Sequence, residues 1–342
     1  MKPPSAKGRS TKQKGALKPG GAGKSAPKTG GAGKGAAPAS RSTKTSGGGT
    51  RSRAAQGRAG GGSSSGAKQF ASRGAARTGK VSPTGEAPPR TKQKTLGGEQ
   101  IEGRQAVREL LIAGARRVRE IWIAGDLDDS DTIQDIIDIA AHERIPIQYV
   151  ARKRLEAAAR TEAPQGIIAY ANGIEETDLA TLIKRPAGSP PPFIVAVDGV
   201  TDPGNLGALL RCCEGAGVQG VVLPRHRAVH VTPTVAKTAA GAIEYVPMVL
   251  VPGLPSTLST FKDHGIWVVG LDDDADRDLF DIGDIARDGI CLVMGAEGAG
   301  LSRLVRDRCD LIVSIPMLGR LSSLNVSAAA ALATYEVTRA RR

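Results

Sequence analysis

Six short apolar runs recur through the second half of the chain: FIVAVDGV, VQGVVLP, YVPMVLV, WVVGLD, ICLVMG and LIVSIP. Each is continuously apolar, whereas a strand with one wet face alternates apolar and polar residues. Strands of this kind are buried on both faces. Helix-compatible segments lie between most of them, including NLGALLRCCEGAG, TPTVAKTAAGAIE and SRLVRDRC. The pattern predicts an α/β domain over residues 193–342, with a mostly parallel sheet and helices on both faces. Ligands of such sheets gather at the carboxyl ends of the strands, so the loops there are where chemistry is expected.

Three further segments precede this domain. Residues 98–173 read as a small α/β domain. EGRQAVRELLIAGARRVREIWIA predicts a helix, with Val107, Leu110 and Leu111 at helical spacing, and then a strand from Glu120 to Ala124. DTIQDIIDIAAHERIPIQYV repeats helix then strand, and QGIIAYA adds a third apolar segment. Residues 174–192, with a Pro and Gly cluster from Pro186 to Pro192, predict a linker. Residues 1–97 form a Gly-, Ser-, Ala-, Lys- and Arg-rich tail that cannot bury enough apolar surface to offset chain entropy, so it is expected to be disordered.

Charge separates the tail from the body. Residues 1–98 hold 21 Lys or Arg and one acid, Glu86, whereas residues 99–342 hold 26 basic and 33 acidic side chains. Basic character therefore belongs to the tail, which is expected either to lengthen contact with RNA phosphates or only to solubilise the chain. No apolar run approaches the ~20 residues that cross a bilayer, and no signal peptide is visible, so a cytoplasmic protein without a membrane partner is expected. Cys212, Cys213, Cys291 and Cys309 show no metal-ligand spacing and the four histidines are scattered, so no metal is expected.

Three loops carry unusual residues. In VDGVTDPGNLGALLRCCEGAGVQGVVLP, Asn205 stands where a helix N-cap belongs and Gly217 where the helix should stop. Arg211 sits among Leu209, Leu210, Cys212 and Cys213. It is either a buried guanidinium that needs a partner or an anion, or a solvated side chain on the outer helix face. In ICLVMGAEGAGLSRLV, a strand ends at Met294, and Gly295, Gly298 and Gly300 let backbone approach a ligand closely. Glu297 in that loop reads as a helix-start carboxylate or as a catalytic or ligand-holding acid. In LIVSIPMLGRLSSLNVSAAAALATYEVTR, a strand ends at Ile315-Pro316, Ser323 or Asn325 caps the next helix, and Ser327 to Ala331 are small enough for very close packing.

DGVTDPGNLGALLRCCEGAG, LVMGAEGAGLS and IPMLGRLSSLNVSAAAALA, in this order and spacing, resemble the three motifs of the SpoU (TrmH) family of RNA 2'-O-ribose methyltransferases. The resemblance spans about Gly98 to Arg339. It implies an α/β domain tied in a trefoil knot, S-adenosylmethionine as methyl donor, a homodimer, and an L30e-like RNA-binding module in front. Together with that module it points to members that methylate a guanosine ribose in 23S ribosomal RNA.

Carried over by position, the resemblance implies polar catalytic-site roles for Asn205, Arg211, Glu297, Ser323 and Asn325. It implies main-chain contact with the methyl donor at Gly295, Ile315 and Leu324. Relatives commonly carry His-Gln-Gly where this chain has Pro164-Gln165-Gly166, so that histidine's role does not transfer.

A ribose hydroxyl is a poor nucleophile, so such a site must align it with the methyl group and stabilise alkoxide character. A guanidinium stays protonated, so Arg211 is expected to act as a fixed cation that lowers the hydroxyl's pKa while the other polar residues orient it. The competing readings are a methyltransferase acting on tRNA or at a drug-resistance site in ribosomal RNA, and a non-catalytic ribosome-assembly factor. Aromatic residues make up only 3% of the chain, which argues for recognition through phosphates and shape rather than base stacking.

Overall fold

The computed structural model describes residues 95–342 apart from Arg185, Arg227, Ala228 and Asp276. The basic tail read from the sequence lies, up to residue 94, outside the described residues. The front part is built from β1 (Gln100–Glu102), α1 (Arg104–Ala113), β2 (Val118–Ala124), α2 (Asp131–His142), β3 (Ile147–Val150), α3 (Arg152–Ala158) and β4 (Ile167–Ala171). Its sheet runs β1-β4-β2-β3, with only the β2–β3 pair parallel. The apolar stripe of α1, Val107, Leu110 and Leu111, is buried with Ile133, Ile136 and Ala140 of α2 against one face of the sheet. Leu155 of α3 covers the other face.

Two of these elements were missing from the sequence reading. β1 is only three residues long and carries Glu102, which is wholly buried. That carboxylate accepts from the backbone N–H of Arg160 (2.7 Å) and Thr161 (3.1 Å) and from the Gln100 side chain (2.8 Å). Hydrogen bonding rather than apolar periodicity therefore fixes β1, and α3 is a short helix with a single buried residue, Leu155.

The segment read as a linker holds a short helix, α4 (Leu179–Ile183), capped by Asp178, whose carboxylate accepts from Ala180 N (3.1 Å). Leu182 seats on the sheet at Gly220, where a Cβ would lie 2.4 Å from its methyl group.

The second sheet is formed by β5 (Phe193–Val197), β6 (Gly220–Pro224), β7 (Met248–Val251), β8 (Trp267–Leu271), β9 (Arg277–Asp278), β10 (Ile290–Met294) and β11 (Leu311–Ser314). Its order is β7-β6-β5-β10-β8-β11-β9, and every pairing is parallel. The helices are α5 (Pro203–Gly215), α6 (Pro233–Thr238), α7 (Leu254–Asp263), α8 (Arg303–Arg306) and α9 (Val326–Arg341). Alternate residues of each strand face opposite ways. Val195, Val221, Leu292 and Val313 pack under α5, α6 and α9, whereas Ile194, Val222, Val268 and Val293 pack under α4, α7 and α8. This is the α/β architecture, with helices on both faces, that the continuous apolar runs predict.

The small residues of α9 permit the close approach expected of them. Ala330 and Ala333 are fully buried, the Cys212 thiol of α5 points at the Ser327 carbonyl, and Thr338 Oγ1 donates to Ala216 O (2.9 Å). The penultimate residue locks the helix in place. Arg341 donates to the carbonyls of Ala286, Pro191, Pro192 and Asp288 and stacks 5.0 Å over the Phe193 ring. Burial lowers its pKa, so these carbonyls stand in for water. Arg341→Ala is expected to cost about 2 kcal/mol, since hydrogen bonds to a charged group contribute more than neutral ones. Urea unfolding monitored by circular dichroism measures it.

The two parts share one buried cluster. Their seam holds a nearly buried ion pair, Arg116 with Glu244, with Arg116 Nε 2.9 Å from a carboxylate oxygen. Tyr245 Oη donates to Glu109 (2.9 Å) beside it. At Gly241 (φ 98°) a Cβ would lie 2.2 Å from Glu109 Cβ, so only glycine lets the two parts meet there.

Candidate active site

The first loop delivers Asn205, though not as the cap. Asp202 is the N-cap of α5: its carboxylate accepts from Asn205 N (2.7 Å), and Pro203 follows at the first helical position. Proline at that position has its φ already set for a helix and lacks an N–H that would go unpaired there. The Asp-Pro pair was the signal that Asp202, and not Asn205, starts the helix. The Asn205 side chain is thereby free for other partners. Gly217 ends the helix in the left-handed region (φ 75°), as the sequence predicts.

The second loop folds back on itself. Ala296 and Gly300 exchange two backbone hydrogen bonds of 2.9 Å, Gly298 and Gly300 take positive φ, and Glu297 stands in the turn between them. At Gly295 a Cβ would lie 2.4 Å from the Gly300 carbonyl carbon, so this glycine sets the tightness of the turn. The turn is tied down from outside by two acids that the sequence did not single out. Asp198 accepts from Ser302 N (2.7 Å), and Asp272 accepts from Leu301 N (3.2 Å) and pairs with Arg306 (3.0 Å). Burial works to raise the pKa of Asp272, but the N–H groups of Leu301 and Asp274 and the Arg306 guanidinium outweigh it and hold the carboxyl below its usual range.

The third loop answers which residue caps α9. Asn325 Oδ1 accepts from Ser327 N (2.9 Å) and Ser327 Oγ (2.6 Å). With its oxygen committed, its amide nitrogen must donate, and it reaches Asn205 Oδ1 at 2.8 Å and Glu297 Oε1 at 3.5 Å. The Asn205 nitrogen then donates to Glu297 Oε2 (2.9 Å). The carboxylate at one end and the helix cap at the other thus dictate both amide orientations. Three residues distant in sequence form one closed ring. Asn325→Ala removes the cap and the ring together and is expected to lower stability by about 1 kcal/mol, read from the thermal midpoint.

Beside the ring lies a cavity of about 340 Å³ at the carboxyl ends of β8, β10 and β11. Gly295, Ile315 and Leu324 line it together with the apolar Leu271, Met294 and Val313 and the acids Asp272 and Glu297, and Ser323 stands exposed at its edge without a hydrogen bond among the described residues. Arg211 is elsewhere. Six residues beyond Asn205 it lies about 240° further round α5, and it is exposed rather than buried, forming no hydrogen bond or ion pair among the described residues. It borders a second cleft with Glu109, Glu214, Gly241 and Tyr245. The outer-face reading of Arg211 is therefore the one this chain adopts.

Burial pushes the thiols of Cys213 and Cys291 far up and that of Cys309 to about 12, so these three are packing residues and not nucleophiles. What the site offers is a cavity of mixed polar and apolar lining, with a carboxylate and two amides fixed beside it.

A family model described as the SpoU rRNA Methylase family matches residues 192–335, and one described as RNA 2'-O ribose methyltransferase substrate binding matches residues 100–177. The putative TrmH family tRNA/rRNA methyltransferase YacO of Bacillus subtilis is 39% identical over 245 residues, covering 70% of this chain and 95% of that protein. The 23S rRNA (guanosine-2'-O-)-methyltransferase RlmB of Pseudomonas aeruginosa is 39% identical over 246 residues, covering 71% and 97%. Among solved structures, the SpoU methyltransferase AviRb of Streptomyces viridochromogenes in complex with AdoMet superposes with a TM-score of 0.60 at 28% identity, covering 71% of this chain and 89% of that one. With both of its parts matched and nearly the whole length of these relatives covered, the chain belongs to the SpoU methyltransferase family.

Proposed function

We propose that this protein transfers a methyl group from S-adenosylmethionine to the ribose 2'-hydroxyl of a guanosine in 23S ribosomal RNA. The observation that carries the reading is the Asn205–Glu297–Asn325 ring beside the cavity at the carboxyl ends of the strands. The P. aeruginosa relative is named for this reaction, and the AviRb neighbour holds AdoMet. The cavity suits that donor: its apolar wall at Leu271, Met294 and Val313 fits an adenine, and backbone groups at Gly295, Ile315 and Leu324 fit its polar edge. The sulfonium supplies an already activated methyl group.

The residues of this chain supply alignment and charge. Glu297 and the two asparagines form a rigid acceptor and donor set in which the 2'-hydroxyl is fixed in line with the methyl group, and Ser323 adds a hydroxyl on the cavity side. Arg211 enters as a fixed cation that favours the alkoxide.

Within one chain Arg211 does not meet the ring, and the surface around it explains how it could. Leu318, Leu321, Leu332 and Tyr335 are exposed on α9 and the loop before it. Gly215, one turn beyond Arg211, would place a Cβ 3.0 Å from Tyr335 Oη, so Arg211 borders this apolar face. A second copy covering the face makes a homodimer in which Arg211 is supplied to the neighbouring copy's site. Mixing an Arg211→Ala chain with an Asn325→Ala chain is then expected to restore about a quarter of wild-type activity, from the one intact site in each mixed dimer. Activity no higher than either parent contradicts shared sites.

The fold refines the reading in two ways. β10 lies between β5 and β8, and α9 returns from β11 to pack on α5 and β10, the arrangement a trefoil-knotted chain end requires. The front sheet, with α1 and α2 on one face and α3 on the other, fits an L30e-like RNA-binding module. A ribosomal RNA substrate places the protein in the cytoplasm. Calorimetry with S-adenosylmethionine tests the enzyme reading: saturable binding to one site per chain is expected, and no binding sinks it.

A further inference from the structure

The ring accounts for the ribose, but nothing described so far holds the RNA between the front domain and the catalytic cavity. Residues 99–342 carry more acids than bases, 33 against 26, so most of this surface repels a phosphate backbone. Where cations stand without acids is therefore informative. Several described arginines beside the seam are neutralised: Arg116 by Glu244, Arg108 by Asp135 and Glu109, and Arg225 by Glu176. Arg104 and Lys237 are different. Neither forms an ion pair among the described residues, although one belongs to the front domain and the other to the catalytic domain.

The backbone brings these two together. Gly103, just before Arg104, has φ 99°, and a Cβ there would lie 3.4 Å from Lys237 Cγ and 3.2 Å from Gln165 Oε1. The stem of Lys237 thus lies against the turn that carries Arg104. Gln165, itself at positive φ, accepts from Arg104 N (2.9 Å) through Oε1, while its Nε2 donates to no described residue. The Arg104 guanidinium makes only two long bonds of 3.4 Å, to Gln165 O and Ser130 Oγ.

On the other side, α6 lies directly on the start of α5. At Gly207 a Cβ would lie 2.5 Å from Thr238 Oγ1 and 2.7 Å from Val235 O. Gly207 is two residues after Asn205, so Lys237 stands between the front domain and the catalytic ring. A guanidinium with only two long bonds to neutral oxygens, an ammonium with no described carboxylate partner and an amide N–H with no described acceptor, all at one seam, make a site for phosphate oxygens.

We propose that Arg104, Lys237 and Gln165 form a phosphate clamp across the domain seam that holds the RNA backbone next to the nucleotide being methylated. The clamp rests on the RNA methyltransferase reading and adds to it a binding surface shared by both domains. It is a positioning site, acting on the RNA chain and not on the reacting atoms.

The test uses the full chain and a 23S ribosomal RNA transcript. Lys237→Gln and Arg104→Gln are each expected to lower the slope of log K against log salt by about one. They should also raise KM for the transcript about fivefold, with kcat and S-adenosylmethionine affinity unchanged, and Lys237→Arg should restore KM. Wild-type salt slope and KM in both glutamine variants overturn the clamp. A drop in kcat or in S-adenosylmethionine affinity that matches the change in KM also overturns it, because that marks damage to the fold. If wild-type protein binds the transcript but transfers no methyl group, the enzyme reading fails, while the salt slopes still decide the clamp.

Discussion

Replacing Arg211 by alanine is expected to lower kcat for methyl transfer by two to three orders of magnitude, as loss of one fixed electrostatic group at a developing oxyanion does. S-adenosylmethionine affinity and thermal stability should stay at wild-type values. The second half follows from the structure: Arg211 is exposed, pairs with nothing among the described residues and lies outside the cavity that would hold the donor. Arg211→Lys separates charge from shape. A point charge suffices if the residue only lowers the hydroxyl's pKa, whereas a forked contact to a phosphate or to the ribose needs the guanidinium. Near-normal turnover in the lysine variant, measured by transfer of labelled methyl to RNA, means that the fork is unimportant.

Gly295→Ala is expected to weaken S-adenosylmethionine binding at least tenfold. The added methyl would lie 2.4 Å from the Gly300 carbonyl carbon and 2.7 Å from Leu301 N, and both are backbone atoms that cannot swing aside. The turn has to open, and it is held by the Ala296–Gly300 pair, Asp272 and Asp198. Overpacking of this kind costs about 1–3 kcal/mol, and the distortion falls on the cavity wall. Calorimetry reads the affinity directly, and unchanged binding would show that main chain at Gly295 does not touch the donor. The analogous change at Gly298, where a Cβ meets nothing within 4 Å, strains only the backbone at φ 73° and is expected to do less.

Much of the fold was legible because burial on both faces leaves a simple trace. Each of the six apolar runs became a parallel strand, and the helices between them cover both faces. β1, α3 and α4 left no such trace, because each is short and is secured by a few specific contacts. Glu102 with the 160–161 backbone and Leu182 against Gly220 are two of them.

The site was legible as loops and residue types but not as geometry. That Asn205, Glu297 and Asn325 meet depends on strand order, which places β10 beside β5 and brings α9 back to α5. Arg211 shows the limit most clearly. Its neighbours in sequence are apolar, yet helical rotation carries it to the exposed side and away from Asn205. Asp202 is legible in the sequence, since an acid directly before a proline marks a helix start more strongly than an asparagine two residues after that proline.

The proposed reaction, methylation of a ribose in ribosomal RNA, is tested by mapping 2'-O-methylation across all ribosomal and transfer RNAs in cells with and without the protein. One guanosine of 23S ribosomal RNA is expected to lose its 2'-O-methyl group when the protein is absent and to regain it with wild-type protein but not with Arg211→Ala. An unchanged map, or a loss confined to transfer RNA, would contradict it.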